Sequence, residues 1–92
     1  MMRITVQTRT PDEVVLEVTG WVSGAGVGVL EQEGGRWLQG GQRLVLDLAG
    51  VKFIDAAGLA LLEDWSGGAL VLRRGSWFIR RLLQTHGLES AA

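Results

Sequence analysis

At 92 residues the chain is long enough for one small domain with a thin core and too short for two, so residues 1–92 are read as a single domain. A formal net charge of −1 offers no general attraction to nucleic acid or anionic lipid, and with no cysteine and one histidine neither disulfides nor a thiolate or imidazole metal centre is available. The N-terminus MMRITVQTRTPDE has no long apolar stretch, and no window reaches the about 18 uncharged apolar residues of a membrane span, so a soluble, cytoplasmic protein without metal or cofactor is expected.

Ile4 and Val6 alternate with polar neighbours between Arg3 and Thr8. After the turn signal Thr10-Pro11-Asp12, Val14, Leu16 and Val18 alternate again, which predicts an antiparallel pair of strands. Gly20 to Gly28 reads as a glycine-rich connector. Apolar residues then fall at Val27, Leu30, Trp37 and Leu38, a helical spacing weakened by Gly34-Gly35 and stopped by Gly40-Gly41. Leu44-Val45-Leu46-Asp47-Leu48 is too continuously apolar to have one wet face and predicts a central parallel strand.

Asp55 follows a short loop and precedes the helix-forming run Ala56 to Trp65, which Ser66-Gly67-Gly68 ends. Ala69 to Leu72 predicts another short strand. Ser76 is placed to cap a last helix carrying Trp77, Phe78, Ile79, Leu82 and Leu83 on one side and Arg80, Arg81 and Gln84 on the other, with its stop at Gly87. No clear strand is read after Leu88. The order strand, strand, helix, strand, helix, strand, helix predicts the α/β class, with a mixed, mostly parallel sheet of about four strands and helices packed on it.

The residue types that carry chemistry are sparse. Gly24 to Gly28, GAGVG, looks like a phosphate-cradling loop, but the dinucleotide fingerprint would need a glycine where Val29 stands, and no Gly-Lys-Ser/Thr follows. His86 has no acid or nucleophile near it in sequence and sits where a helix C-terminus favours a cation, so a surface or capping role is expected. Arg73, Arg74, Arg80 and Arg81 read as a solvated basic face. Trp21, Trp37, Trp65 and Trp77 are hard to bury together in so short a chain, which predicts that one or two are exposed. A non-enzymatic binding module follows from this inventory.

LVLDLAGVKFIDAAGLALLEDW, residues 44–65, resembles the hallmark segment of STAS domains, where an apolar strand ending in Asp-Leu leads to an Asp-x-x-Gly-Leu corner and a helix. GALVLRRGSWFIRRLLQTHGL, residues 68–88, is similar to the strand and final helix that follow in that family, and Gly20 matches its glycine after the second strand. The resemblance implies a STAS-like fold and a protein-binding switch of the kind found in bacterial anti-sigma factor antagonists. Those proteins bind a kinase-type anti-sigma factor and are turned off when it phosphorylates a hydroxyl between the Asp and the Gly of the corner. Here both positions are alanine, Ala56 and Ala57, so the resemblance implies a corner without a phosphoacceptor, always competent to bind.

The run Asp55-Ala56-Ala57-Gly58-Leu59-Ala60-Leu61-Leu62 also resembles the small STAS subunits of bacterial phospholipid-transport ABC systems, which bind an ATPase and often carry threonine at the position of Ala56. Either way the expected partner-binding residues are Asp55, Ala56, Ala57, Gly58, Leu59, Leu62 and the aromatic anchor Trp65. The partner is a protein, an anti-sigma-type regulator or alternatively an ABC ATPase. The structural counterpart of the same residues is that Asp55 caps a helix, with Gly58 needed for close packing. Thin burial makes a homodimer plausible, through an exposed strand edge or apolar patch.

Overall fold

The alternating stretch near the N-terminus and the run from Val14 pair as antiparallel strands, β1 (Met2–Arg9) and β2 (Glu13–Val22), in a computed structural model that describes residues 1–91. The chain then runs through α1 (Ala25–Gln39), β3 (Arg43–Ile54), α2 (Ala56–Trp65), β4 (Leu70–Arg73), α3 (Trp77–Gln84) and β5 (Ser90–Ala91). The sheet order is β1-β2-β3-β4-β5, with every pair after the first parallel. Each parallel step is a crossover through one helix, which is why strands and helices alternate in sequence. The fold is the expected α/β class with a mixed, mostly parallel sheet.

Three elements differ from the sequence reading. The connector expected over Gly20 to Gly28 shrinks to Ser23-Gly24, because β2 continues to Val22 and α1 already starts at Ala25. Gly20 is inside β2 at φ 89°, where a Cβ would run into the Met1 carbonyl, so this glycine is required by the close approach of the chain's first residue and not by a turn. Gly26 and Gly28 are helical, and composition alone hides that. The second difference is β3, which runs on to Ile54 where a short loop was expected before Asp55. The third difference is β5, where two residues add to the free edge of β4 through Leu72↔Ser90 and Arg73↔Ala91. Ser90-Ala91 has no apolar periodicity; the pairing comes from the unsatisfied edge of β4.

The helices cover one face of the sheet. Val14 and Leu16 stand in register with Leu44 and Leu46, and these side chains form a single core with Leu30 of α1, Leu59, Leu61 and Leu62 of α2, and Ile79 and Leu83 of α3. Burying each such leucine or isoleucine stabilises the fold by about 1.5–3 kcal/mol before the entropy of ordering it is counted. The alternate residues Val15, Val45 and Asp47 lie on the opposite face, outside that core. That face carries no helix, yet Val15 and Val45 are buried there.

The Asp55 corner as a candidate partner-binding site

β2 and β3 run parallel side by side, so the loops that leave them, Ser23-Gly24 and Asp55, emerge next to each other at the same end of the sheet. Asp55 joins them. Its Oδ1 accepts the Gly58 N–H at 2.8 Å and caps α2, while its Oδ2 accepts the Gly24 N–H at 3.1 Å at the entrance to α1. The Asp55 N–H in turn donates to the Val22 carbonyl at 3.0 Å. Both carboxylate oxygens are therefore occupied by backbone donors at helix starts, where negative charge is favoured. The Gly58 N–H, and after it the Gly24 N–H, hold the Asp55 carboxyl below its usual range.

Gly58 is buried beneath this clamp. A Cβ on it would lie 2.8 Å from Ile54 Cγ2 and 3.1 Å from both Val22 Cγ1 and the Val22 carbonyl oxygen, so α2 starts this close to β2 and β3 only with hydrogen at that position. What remains outward-facing at the corner is Ala56 and Ala57, both exposed. They present two methyl groups and no hydroxyl.

The other expected partner residues separate from the corner. Leu59 and Leu62 are buried in the core and offer no surface, because their positions on α2 point at the sheet. Trp65 sits at the far end of α2, about 15 Å along a ten-residue helix. Its ring rests on α1: a Cβ at Gly34 would come within 2.7 Å of Trp65 Cη2. Trp65 therefore packs α2 against α1, and Gly34 is the hollow that receives it. The contact area that the corner can offer reduces to Asp55, Ala56 and Ala57, with Gly58 as the residue that shapes it.

Two features escaped the sequence reading. Asp47, inside the apolar run of β3, is 1% exposed and lies on the helix-free face, where its Oδ1 accepts the Ala49 N–H at 3.0 Å and its Oδ2 meets Arg73 at 3.1 Å and Arg74 at 3.5 Å. Burial pushes this carboxyl up, but the Ala49 N–H, the Arg73 hydrogen bond and the charge of Arg74 outweigh it and hold it below its usual range. Arg73 and Arg74 are thus tied to a buried acid and not free on a solvated face. Arg73 also donates to the Gln7 side-chain carbonyl at 3.2 Å, and Gln7 donates to Glu17 at 3.3 Å, so a polar belt crosses β1 to β4. An acid inside an apolar run was the available signal. The second feature is His86, whose Nδ1 lies 3.6 Å from Glu63 at the end of α2.

No group of three His, Cys, Asp or Glu among the described residues is arranged to hold a metal ion, and none of their helices is long and apolar enough to cross a membrane. The sequence profile of the family described as "Mlab, STAS domain" matches residues 5–90. No curated protein matches the chain. Among solved structures it is similar to the anti-sigma factor antagonist SpoIIAA in its unphosphorylated form, at 17% identity and a TM-score of 0.72, covering 98% of this chain and 88% of that one. It is also similar to the Bacillus cell fate determinant SpoIIAA in the phosphorylated form, at 18% identity and a TM-score of 0.70, covering 98% of this chain and 92% of that one. These likenesses carry the fold, and the profile spanning residues 5–90 carries the family: the chain belongs to the STAS domain family.

Proposed function

We propose that this protein is a non-enzymatic regulatory module of the anti-sigma factor antagonist kind, which binds a kinase-type anti-sigma factor in the cytoplasm through the Asp55 corner. The observation that carries the reading is the double clamp: one carboxylate fixes the starts of both α1 and α2, so the surface at Ala56 and Ala57 is formed before any partner arrives. A preformed surface binds without the ordering entropy that a mobile loop would lose. Because Ala56 and Ala57 have no hydroxyl, neither of these two positions can be phosphorylated, and binding through them is not switched off in that way. Control then rests on the amount of protein or on the partner.

A second reading has an observation of its own. The matching family is described by its Mlab members, and the run Asp55 to Leu62 resembles the STAS subunits of phospholipid-transport ABC systems, so the same corner is suited to an ABC ATPase. Affinity purification from the native host with wild type and Ala57→Arg separates the two. Ala57 is exposed, so the substitution adds a bulky charge to the surface without entering the core. Selective loss of a kinase-type regulator supports the antagonist reading, loss of an ATPase supports the transport reading, and an unchanged partner set with a folded variant removes the corner as a binding site.

A further inference from the structure

The chain has six aromatic side chains, and they divide by position. Trp37 and Trp65, toward the far ends of α1 and α2, are partly buried against the core. Trp21, Phe53, Trp77 and Phe78 are 54%, 38%, 75% and 50% exposed, and all four lie where β2, β3 and β4 end or where α3 begins. β4 ends level with Asp47, six residues before Phe53, so only Trp21 and Phe53 stand at the end of the sheet that holds the Asp55 corner.

Trp21 and Phe53 form a pair. They are register partners on β2 and β3, with ring centroids 6.1 Å apart and planes tilted by 59°. Their neighbours Val22 and Ile54 point into the core, so the two rings point to the helix-free face. Trp21 stands three residues before Gly24 and Phe53 two before Asp55, the two residues that the clamp joins beyond the ends of β2 and β3. The exposed aromatic pair is thereby held on two paired strands beside the clamp. Aromatic rings held this way lose little entropy on binding and are the side chains that anchor interfaces.

The unpaired charges at the same end are cationic. Arg3 stands opposite Thr19 near the start of β1, and Lys52 is the extra residue in the register shift between Gly20 and Trp21, beside Phe53. Neither Arg3 nor Lys52 has an ion-pair partner among the described residues. Asp55 is the one acidic residue at this end, and both its oxygens are already bonded. The opposite end is mixed in sign, with Asp12, Glu13, Glu63 and Asp64 beside Arg9, Arg36 and Arg43.

We propose that the Trp21–Phe53 pair is the anchor of the partner interface, and that it receives a protein segment whose apolar side chains are flanked by carboxylates. The proposal rests on the reading that this end of the sheet faces a protein partner, and it moves the binding energy from the α2 surface to the two strands beside the clamp. Complementary charge speeds encounter and selects the partner's sign, while the rings supply the desolvated contact.

Two helical peptides with the same leucine seam, one filled with glutamate and one with lysine, and anionic phosphatidylglycerol vesicles are the probes. The four tryptophan indole N–H signals in a proton–nitrogen correlation spectrum are the readout, because Trp37 and Trp65 serve as internal references. The glutamate peptide is expected to shift the Trp21 indole and leave Trp37 and Trp65 in place, with binding that weakens as salt is added. Trp21→Ser with Phe53→Ser is expected to weaken it at least tenfold, and Lys52→Glu, which leaves both rings intact, to weaken the glutamate peptide and favour the lysine peptide. Equal binding of both peptides, no shift with either, a shift with vesicles alone, or a shift that follows protein concentration without probe each overturns the proposal. The last two would assign the rings to a membrane surface or to a second copy of the chain. Partner capture keeps the two ideas apart: loss with Ala57→Arg but not with Trp21→Ser leaves the corner standing and overturns the anchor, whereas loss with Trp21→Ser alone removes the corner and keeps the anchor.

Discussion

Replacing Asp47 with alanine tests whether the polar belt on the open face of the sheet stabilises the fold. The substitution strands the Ala49 N–H and removes the acceptor shared by Arg73 and Arg74. A hydrogen bond to a charged acceptor contributes about 1.5–3 kcal/mol when its partner is left in a buried place. The two ion pairs count for less, because the arginine side chains are 36% and 58% exposed and water screens them. Arg74 adds a term of its own: it holds φ 66°, a left-handed conformation that costs a non-glycine residue about 1–2 kcal/mol, and the Asp47 contact helps to keep it there. A loss of about 3 kcal/mol is expected, which for a domain of this size lowers Tm by about 10–20 °C.

Urea or thermal unfolding of wild type, Asp47→Ala, Arg73→Ala and the double variant measures it, and the double-mutant cycle isolates the Asp47–Arg73 coupling. Asp47 has a lowered carboxyl pKa in the folded state, so its contribution is fully present above the unfolded aspartate pKa of about 4 and is lost as pH falls through the lower folded value. The gap between wild type and Asp47→Ala should therefore hold at neutral pH and narrow in acid. A difference below about 0.5 kcal/mol at neutral pH, the level of an ordinary surface substitution, refutes the reasoning, as does a gap that widens in acid.

Gly34 and Gly35 are adjacent in α1 yet predict opposite outcomes. Gly34→Ala drives a methyl into the Trp65 ring and should destabilise by about 1–3 kcal/mol, with Trp65 fluorescence changed, whereas Gly35→Ala meets open space and should gain up to about 1 kcal/mol of helix propensity in a thermal melt. In Asp55→Asn, the side-chain carbonyl can keep the Gly58 cap but the amide cannot accept from Gly24, so hydrogen exchange should accelerate at the Gly24 amide and stay slow at Gly58. The carboxylate's lowered pKa means its support is present above the unfolded aspartate value and lost as pH falls through the folded one, and acid should release both amides in the wild type. Gly58→Ala meets Ile54 and Val22 on two sides and is expected to unfold at least about 1–3 kcal/mol more easily in urea, which makes any large residue there a test of folding and not of partner contact.

What a short window contains, the sequence determined. Ser76 before an apolar stripe predicts α3, and its Oγ accepts the Ile79 N–H at 3.1 Å; Asp55 before Ala56 predicts the cap of α2. The unbroken apolar run of β3 predicts a strand covered by neighbours on both sides, and that expectation placed it at the centre of the sheet. Capping, periodicity and helix propensity are local interactions, so residues a few positions apart carry them.

Tertiary structure decided whatever depends on residues far apart in the chain. The cap of Asp55 was legible, but its second bond goes to Gly24, and only the parallel pairing of β2 with β3 puts that amide within reach. The same pairing set Trp21 beside Phe53. Asp47 was visible as an acid in an apolar strand, yet its partners Arg73 and Arg74 are supplied by β4 and the residue after it. The sequence offered Trp65 as a partner anchor, and Gly34 on another helix instead supplies a hollow that its ring fills. Long-range pairing carries no periodic signature, because the sheet fixes it by register and the helices by shape.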